Sequence, residues 1–277
     1  MVVSVNMYQT YILKNGLKVI HQQIAGKAAW CGLIIGVGSR DEQPEEEGIA
    51  HFIEHVIFKG TEKRKAYHIL SRIEDVGGEL NAYTTKEDTC IYASFLPTDY
   101  ERVLELFADI VFNSIFPEKE IEKEKEVVLD EINSYKDSPG ELIFDDFEEL
   151  IYRGYPIGRN ILGSEEAVKG LNRDSILKFV KRNYSPSKMV ISSIGDFSFE
   201  KLVKLVECYF GEIPEYENPL VRLKPEIYQP QIHIIEKDTY QNHCIIGNVA
   251  YDYMQDNRLA LSLLVNILGL SLIHISE

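Results

Sequence analysis

The apolar positions of the first hundred residues fall into short runs that predict β-strands. Residues 11–21 alternate polar and apolar side chains on either side of an Asn-Gly turn, the pattern of a β-hairpin. The apolar run 30–37 predicts a buried strand, and residues 80–85 and 89–95, rich in Tyr, Thr and Ile, predict a second hairpin. These segments indicate a mostly antiparallel sheet.

Between the predicted strands, and after them as far as residue 210, most of the chain shows helical periodicity. Apolar residues recur every three or four positions, so they share one face of each predicted helix. One further strand is predicted at 188–194. Together these elements predict an α+β fold, in which helices cover a mostly antiparallel sheet. The predicted helices are 66–76, 99–112, 144–152 and 199–210, one that begins at Pro117, and two within 164–183.

A second, incomplete copy of the first domain is predicted after a linker that contains prolines and shows no periodicity. Predicted strands at 231–235 and 244–249, followed by a helix at 257–268, repeat the strand, strand, helix order of the N-terminus. The predicted division is a first domain at 1–213, a linker at 214–229 and the partial second domain at 230–269.

Composition limits the class of partner. The 277 residues have a formal net charge of -15 and are 45% hydrophobic, which predicts a globular chain with a substantial core. The negative charge disfavours nucleic acid and anionic membranes and leaves basic peptides as candidates. No stretch reaches the ~18 apolar residues needed to span a membrane, and the N-terminus shows no secretory signal pattern. With four widely spaced cysteines and no C-x-x-C pair, we expect a reduced, cytoplasmic protein.

The strongest chemical signal is the order His51-x-x-Glu54-His55 on a short predicted helix. Histidines four positions apart project from one helix face, where both imidazoles can bind one metal ion. Glu54 leaves the helix beside them, close enough to act on a metal-bound water without being a ligand. A catalytic zinc site needs a third protein ligand from elsewhere in the chain. The alternative is a helix with one core histidine and solvated charges.

Two groups of acidic residues lie near this motif or on a later helix. Glu124 and Glu131 share one stripe of a predicted helix with apolar neighbours, and a carboxylate that faces a core needs a partner. From the spacing alone, a salt-bridged surface face is the favoured interpretation, because the helix is rich in Glu and Lys. We interpret the acidic run 45–47 as a solvated face at a helix N-terminus.

The predicted second copy lacks the histidine motif. When Cys244 is laid over Cys31 without gaps, three apolar residues stand where the first copy has its two histidines and its glutamate. The second copy is therefore predicted to be metal-free.

Six segments give the motif a wider context, and the resemblance that they carry extends over nearly the whole chain. They are 37–42, 51–61, 77–84, 122–132, 156–163 and 183–190. Together they resemble the pitrilysin and insulinase family of zinc endopeptidases, which includes mitochondrial processing peptidase. The resemblance implies a half domain of that family's α+β type, followed by a similar half without zinc.

The resemblance also implies that each chain binds one Zn²⁺ and which residues are its ligands. His51 and His55 would bind the ion together with Glu131, which lies 76 positions after His55 in a Val-Val-Leu-Asp-Glu-Ile context that matches the family. Glu54 would be the catalytic base.

Further residues are assigned by the same resemblance. Glu124 would orient a ligand histidine and tune its basicity. The segment Asn81, Ala82 and Tyr83 resembles the family's edge strand, which pairs with an extended peptide substrate. An ordinary edge strand is the alternative for this segment.

The implied function is hydrolysis of peptide bonds in peptides or unfolded segments, by an enzyme that is a homo- or heterodimer when full length. The alternative is a non-catalytic scaffold or partner subunit that binds peptides or assembles with an active subunit. Relatives continue well beyond Gly269, whereas residues 270–277 depart from the family pattern. We therefore expect a C-terminally truncated chain with a non-native tail, and the resemblance does not by itself imply that this form is active.

Overall fold

A single mixed sheet forms the centre of the molecule. The computed structural model describes residues 8–216, 221–225, 229–237 and 240–271. The strands within these ranges are β1 (Gln9–Ile12), β2 (Lys18–Gln23), β3 (Ala29–Ile35), β4 (Glu79–Thr84), β5 (Thr89–Phe95) and β6 (Met189–Gly195). Their spatial order is β1-β2-β6-β3-β5-β4, and β2 with β6 is the one parallel pair among them. The predicted mostly antiparallel sheet is confirmed.

Helices follow the predicted periodic segments closely. The helices within the described ranges are α1 (Ile49–Val56), α2 (Ala66–Glu74), α3 (Tyr100–Phe112), α4 (Glu118–Lys136), α5 (Pro139–Ile151), α6 (Glu165–Gly170), α7 (Arg173–Asn183), α8 (Phe199–Phe210) and α9 (Arg258–Ser271). Helix α5 begins five residues before its predicted start, because Pro139 is compatible with the first turn of a helix. The predicted α+β class is confirmed.

One face of the sheet packs against helices to form the core. In β3, alternate residues including Leu33 and Ile35 are buried, whereas Trp30 on the other face is exposed. Helix α3 contributes Leu106 and Phe107, both fully buried, and packs against α8. The strand period of two and the helix period of 3.6 therefore direct their apolar positions to the same interior.

Helix α1, which carries the histidine motif, lies beside an open edge of the sheet. It packs against β4 and against α4. Because β4 has only β5 as a strand neighbour among the described residues, the backbone of β4 presents an unpaired edge close to α1.

The predicted strands of the second copy are wrong. Residues 231–235 and 244–249 contain no strand, although α9 forms as predicted. A strand requires a neighbouring strand to pair with its amides and carbonyls, and no strand of the described ranges lies beside these segments. The predicted tail lies mostly outside the described residues, and the domain division remains a prediction. No described helix is long and apolar enough to cross a bilayer.

Candidate metal centre

Helix α1 begins at a glycine because another loop approaches its first residue closely. Gly48 has a φ of +85°, and a Cβ at this position would lie 2.5 Å from the carbonyl oxygen of Leu162. Gly163, on the approaching loop, has a φ of +74° and an equally close contact with the backbone of Glu47. The two glycines therefore allow the loop at 156–163 to pack directly on the start of the motif helix.

A buried acid supplies the helix cap that Gly48 lacks. The two carboxylate oxygens of Glu42 accept hydrogen bonds from the amides of Gly48 and Ala50, at 3.0 and 2.9 Å. Burial raises the pKa of Glu42 to about 8, while these amide bonds and the nearby Arg159 oppose the rise. Arg159 also donates to the backbone carbonyl of Glu42 at 3.3 Å. The sequence analysis did not find this cap, because Glu42 lies outside the helix pattern.

The two histidines of the motif lie together on the inner side of α1. Their ring centroids are 4.7 Å apart, and His51 is buried while His55 is half-buried. Burial, and to a lesser extent His55, lowers the pKa of His51 to about 4. His51 is therefore neutral at neutral pH, the form in which an imidazole binds a metal.

Helix α4 brings the third candidate ligand to the same place. The Oε2 atom of Glu131 lies 3.8 Å from Nε2 of His51 and 3.5 Å from Nε2 of His55. These three side chains offer ligand atoms within 4.8 Å of one another, and no other such group occurs among the described residues. In a tetrahedral zinc site with bonds of about 2.0–2.2 Å, neighbouring ligand atoms are roughly 3.3–3.6 Å apart. The donor set and its spacing therefore fit a zinc ion.

Glu124 contacts the outer nitrogen of His55. Its Oε2 atom lies 3.3 Å from Nδ1 of His55, and its Oε1 atom lies 2.7 Å from Nζ of Lys59. The side chain of Glu124 is only 12% exposed. The structure thus brings the predicted orienting acid to a candidate ligand histidine, together with a lysine that the sequence did not indicate.

Glu54 lies near Thr84 at the end of the edge strand and also near His55 and Glu131 of the candidate ligand cluster. Burial raises the pKa of its carboxyl, and the charge of Glu131 adds to this effect. The hydroxyl and amide of Thr84 and the ring of His55 act in the opposite direction. A half-buried acid with a raised pKa, one residue from a ligand histidine, suits a group that accepts and returns a proton.

The predicted substrate segment occupies the open edge strand β4. Asn81 and Tyr83 are exposed and Ala82 is buried, as expected from strand alternation. The ring of Tyr83 contacts Tyr92 on β5, with centroids 5.9 Å apart. The unpaired edge of β4 therefore runs up to Thr84, next to Glu54.

The acidic run at 45–47 is not the solvated face that we predicted. Glu46 is buried and forms an ion pair with Arg182 of α7, and Glu47 lies 3.6 Å from Nε of Arg159. Only Glu45 is exposed. The error arises because both arginines are more than a hundred residues away, and nothing local in the run indicates partners.

Two sequence profiles match this chain. The profile described as Insulinase (Peptidase family M16) matches residues 18–165, and the one described as Peptidase M16 inactive domain matches residues 170–274. All the candidate site residues lie within the first match.

Named relatives agree with these profiles. An uncharacterized zinc protease of Bacillus subtilis, YmxG, is 34% identical over 264 residues, which are 95% of this chain and 64% of the relative. An uncharacterized zinc protease of Rickettsia bellii is 37% identical over 248 residues, which are 89% of this chain and 60% of the relative. The chain therefore spans a little under two thirds of the length of these relatives.

Solved structures share the fold. A protease from Helicobacter pylori superposes with a TM-score of 0.73 at 25% identity, covering 79% of this chain and 53% of that one. The periplasmic protease PqqL from Escherichia coli gives 0.71 at 21% identity, covering 82% of this chain and 26% of that one. Since the first profile alone covers more than half of the chain, this protein belongs to the insulinase family of peptidases, family M16.

Proposed function

We propose that this chain contains the zinc-binding part of an endopeptidase that hydrolyses peptide bonds in peptides or unfolded segments. The observation that carries the proposal is the convergence of His51, His55 and Glu131 from two helices, with Glu54 on the same helix as the histidines. The names of the relatives as zinc proteases support it.

The residues that would hold one Zn²⁺ are His51 and His55, through their Nε2 atoms, and Glu131, through Oε2. A bound zinc would supply Lewis-acid activation of a water molecule and of the substrate carbonyl. The side chain of Glu131 is 44% exposed, so the site is open to solvent on this side. Glu124 would hold the proton of His55 on Nδ1 and leave Nε2 free to bind the metal.

Glu54 would transfer the proton in the reaction. It accepts the proton of the attacking water and returns it to the amine nitrogen that leaves when the peptide bond breaks. Its raised pKa strengthens it as a base, and the carboxylic acid formed in that step is the donor of the returned proton. Glu54 would thus act twice in each turnover, first as base and then as acid.

The open edge of β4 would bind the substrate backbone. An extended peptide added next to Asn81, Ala82 and Tyr83 would form main-chain hydrogen bonds with the edge, and its peptide bonds would pass beside Glu54. Such binding depends little on substrate sequence. The homo- or heterodimeric assembly and the cytoplasmic location remain predictions.

Zinc analysis and one conservative substitution test the proposal. We expect about one zinc per chain in the purified parent and a large loss in His51→Ala. In a form extended to the length of its relatives, Glu54→Gln should retain zinc and lose about 10²-fold or more of peptide hydrolysis, since only the proton-transfer group is removed.

The two measurements separate the alternatives. A parent that binds no zinc, or binds it equally well with Ala at position 51, would contradict the site and favour a non-catalytic scaffold. Zinc binding with full turnover in Glu54→Gln would contradict the role of Glu54 alone.

A further inference from the structure

Lys59 lies next to the candidate metal centre but has no part in the chemistry proposed above. It follows α1, one helical turn beyond His55, and its Nζ lies 2.7 Å from Oε1 of Glu124. The other oxygen of the same carboxylate lies 3.3 Å from Nδ1 of His55. One carboxylate of α4 thus joins a lysine and a ligand histidine that both come from the region of α1.

We propose that Lys59 is a positioning residue of the metal centre. Through Glu124, it holds the ring of His55 so that Nε2 is directed at the metal position. This inference rests on the proposed function, because it assigns a role at the same site.

The charge of Glu124 needs a partner, and Lys59 supplies it. The carboxylate is only 12% exposed, and a poorly solvated charge is costly unless a partner compensates it. A neutral imidazole donates one hydrogen bond and brings no charge, whereas Lys59 supplies a full positive charge at 2.7 Å. Lys59 is therefore the partner that compensates the charge of Glu124 and holds the carboxylate in place.

The position of Glu124 also selects the tautomer of His55. A neutral imidazole carries its proton on one nitrogen and a lone pair on the other. Glu124 at Nδ1 accepts the hydrogen bond of that proton and so leaves the lone pair on Nε2, the atom 3.5 Å from Oε2 of Glu131. If the carboxylate lost its anchor, it could rotate away from Nδ1 and this preference would weaken.

The same ion pair also affects the spacing of helices α1 and α4. His55 comes from α1, whereas Glu124 and Glu131 lie two turns apart on α4. The ion pair between Lys59 and Glu124 connects the C-terminal end of α1 to α4 at the level of His55. It therefore helps to set the distance between the histidine and the carboxylate that would share the metal.

Another acid on α4 does not replace this contact. Glu120 lies one turn before Glu124 and is close enough for Lys59 to contribute to its lowered pKa, but its main partner is Lys123, at 2.8 Å. Glu120 does not contact His55 in any described interaction, so a pair between Lys59 and Glu120 would not orient the ring.

A double-mutant cycle on the full 277-residue chain tests the inference. The variants are Lys59→Met, Glu124→Gln and their combination, with Lys59→Arg as the conservative variant. Lys63→Met, four residues further along and exposed, is the matched control. The zinc dissociation constant is measured by competition with a chromophoric chelator at pH 7. Thermal unfolding of the metal-free proteins, followed by circular dichroism, verifies that each variant is folded.

We expect Lys59→Met to weaken zinc binding about tenfold, at the low end of the 10- to 100-fold range for partners of ligand histidines. Glu124→Gln should weaken it at least as much. The combined variant should bind zinc no more weakly than Glu124→Gln alone, because Lys59 acts through that carboxylate. Lys59→Arg should remain within about threefold of the parent, since it keeps the charge, and Lys63→Met should match the parent.

Three results would overturn the inference. Parent-like affinity in Lys59→Met would show that the lysine does not position the site. Additive losses in the combined variant would show that it acts independently of Glu124. A parent that binds no zinc would remove the proposed function and this inference together, whereas the first two results would leave the proposed function intact.

Discussion

The described residues of 8–216 and those of 221–225, 229–237 and 240–271 have similar apolar side chains but bury them very differently. In the first region, residues such as Leu106 and Phe107 of α3 are completely buried between the sheet and α8. In the second, Ile232 is 93% exposed and Leu263 of α9 is 65% exposed. The comparison shows that a periodic apolar pattern predicts an element, whereas burial requires a second element with a complementary face.

The largest contrast is between two apolar truncations. Phe107→Ala should lower the free energy of unfolding by about 3–5 kcal/mol, because it leaves a cavity in a fully buried site. Leu263→Ala should change it by less than about 0.5 kcal/mol, because the side chain is already largely in solvent. Denaturant unfolding of both variants measures the difference. A large loss in Leu263→Ala would mean that α9 is packed in solution and would remove the contrast.

A polar contact between the two regions should have the next largest effect. Arg222 donates to both carboxylate oxygens of Asp41, at 2.9 and 2.7 Å, and the side chain of Asp41 is only 2% exposed. Arg222→Met should therefore cost about 2 kcal/mol of stability, since it leaves a buried charge without its main partner. Lys224→Met is the control, because Lys224 is 78% exposed and should contribute less than about 0.5 kcal/mol. Equal effects of the two substitutions would contradict the assignment of Arg222 as an anchor.

A smaller effect, dependent on pH, comes from His21 in β2. Its ring is fully buried, with Nε2 2.8 Å from the carbonyl oxygen of Phe197, and burial lowers its pKa. Below the unfolded pKa of about 6.5, the unfolded chain takes up a proton that the folded chain resists, so this contribution to stability is lost as the pH falls.

Urea unfolding at pH 7 and pH 5 measures this loss. The parent should lose more stability over this interval than His21→Gln, whereas His68→Gln, altered on the exposed surface of α2, should behave like the parent. An identical pH dependence in His21→Gln and the parent would be the contrary result.

The smallest change in unfolding free energy should follow from removing residues 226–277. This deletion keeps Arg222 and removes exposed apolar side chains such as Ile232 and Leu263, so stability should change by less than about 0.5 kcal/mol. Size-exclusion chromatography should show one sharp species for the shortened chain and larger aberrant oligomers for the 277-residue form. A cleaner profile for the longer form would mean that its C-terminal apolar residues are buried in solution.

Local periodicity was enough to predict most of the fold. The alternation that predicts β3 and the apolar stripe that predicts α3 can each be read from residues close together in the sequence. Both elements form near their predicted positions. The failure at 231–235 and 244–249 has the opposite origin, because strand formation there depends on neighbours that the local pattern does not specify.

The candidate site also has one part that the local sequence predicts and another that it does not. His51, Glu54 and His55 could be placed together from the geometry of one helix. Glu131, on a different helix, required the resemblance to a family, because helix spacing cannot relate residues 76 positions apart. Lys59 and Glu42 were missed, since their roles depend on contacts with Glu124 and with the amides of α1 that only a folded chain shows.

The central position of β6 has a consequence for folding during synthesis. This strand pairs with both β2 and β3, yet it is made about a hundred residues after β5. At 5–20 residues per second, the ribosome takes roughly 5–20 s to cover that distance. During this interval neither β2 nor β3 has the strand that pairs with it in the finished sheet, so a β1-β2 hairpin or a β3-β5-β4 unit that formed early would carry an open edge at the place where β6 belongs. The nascent chain therefore passes through a stage at which both edges are available to chaperones or to other nascent chains, and insertion of one strand ends it.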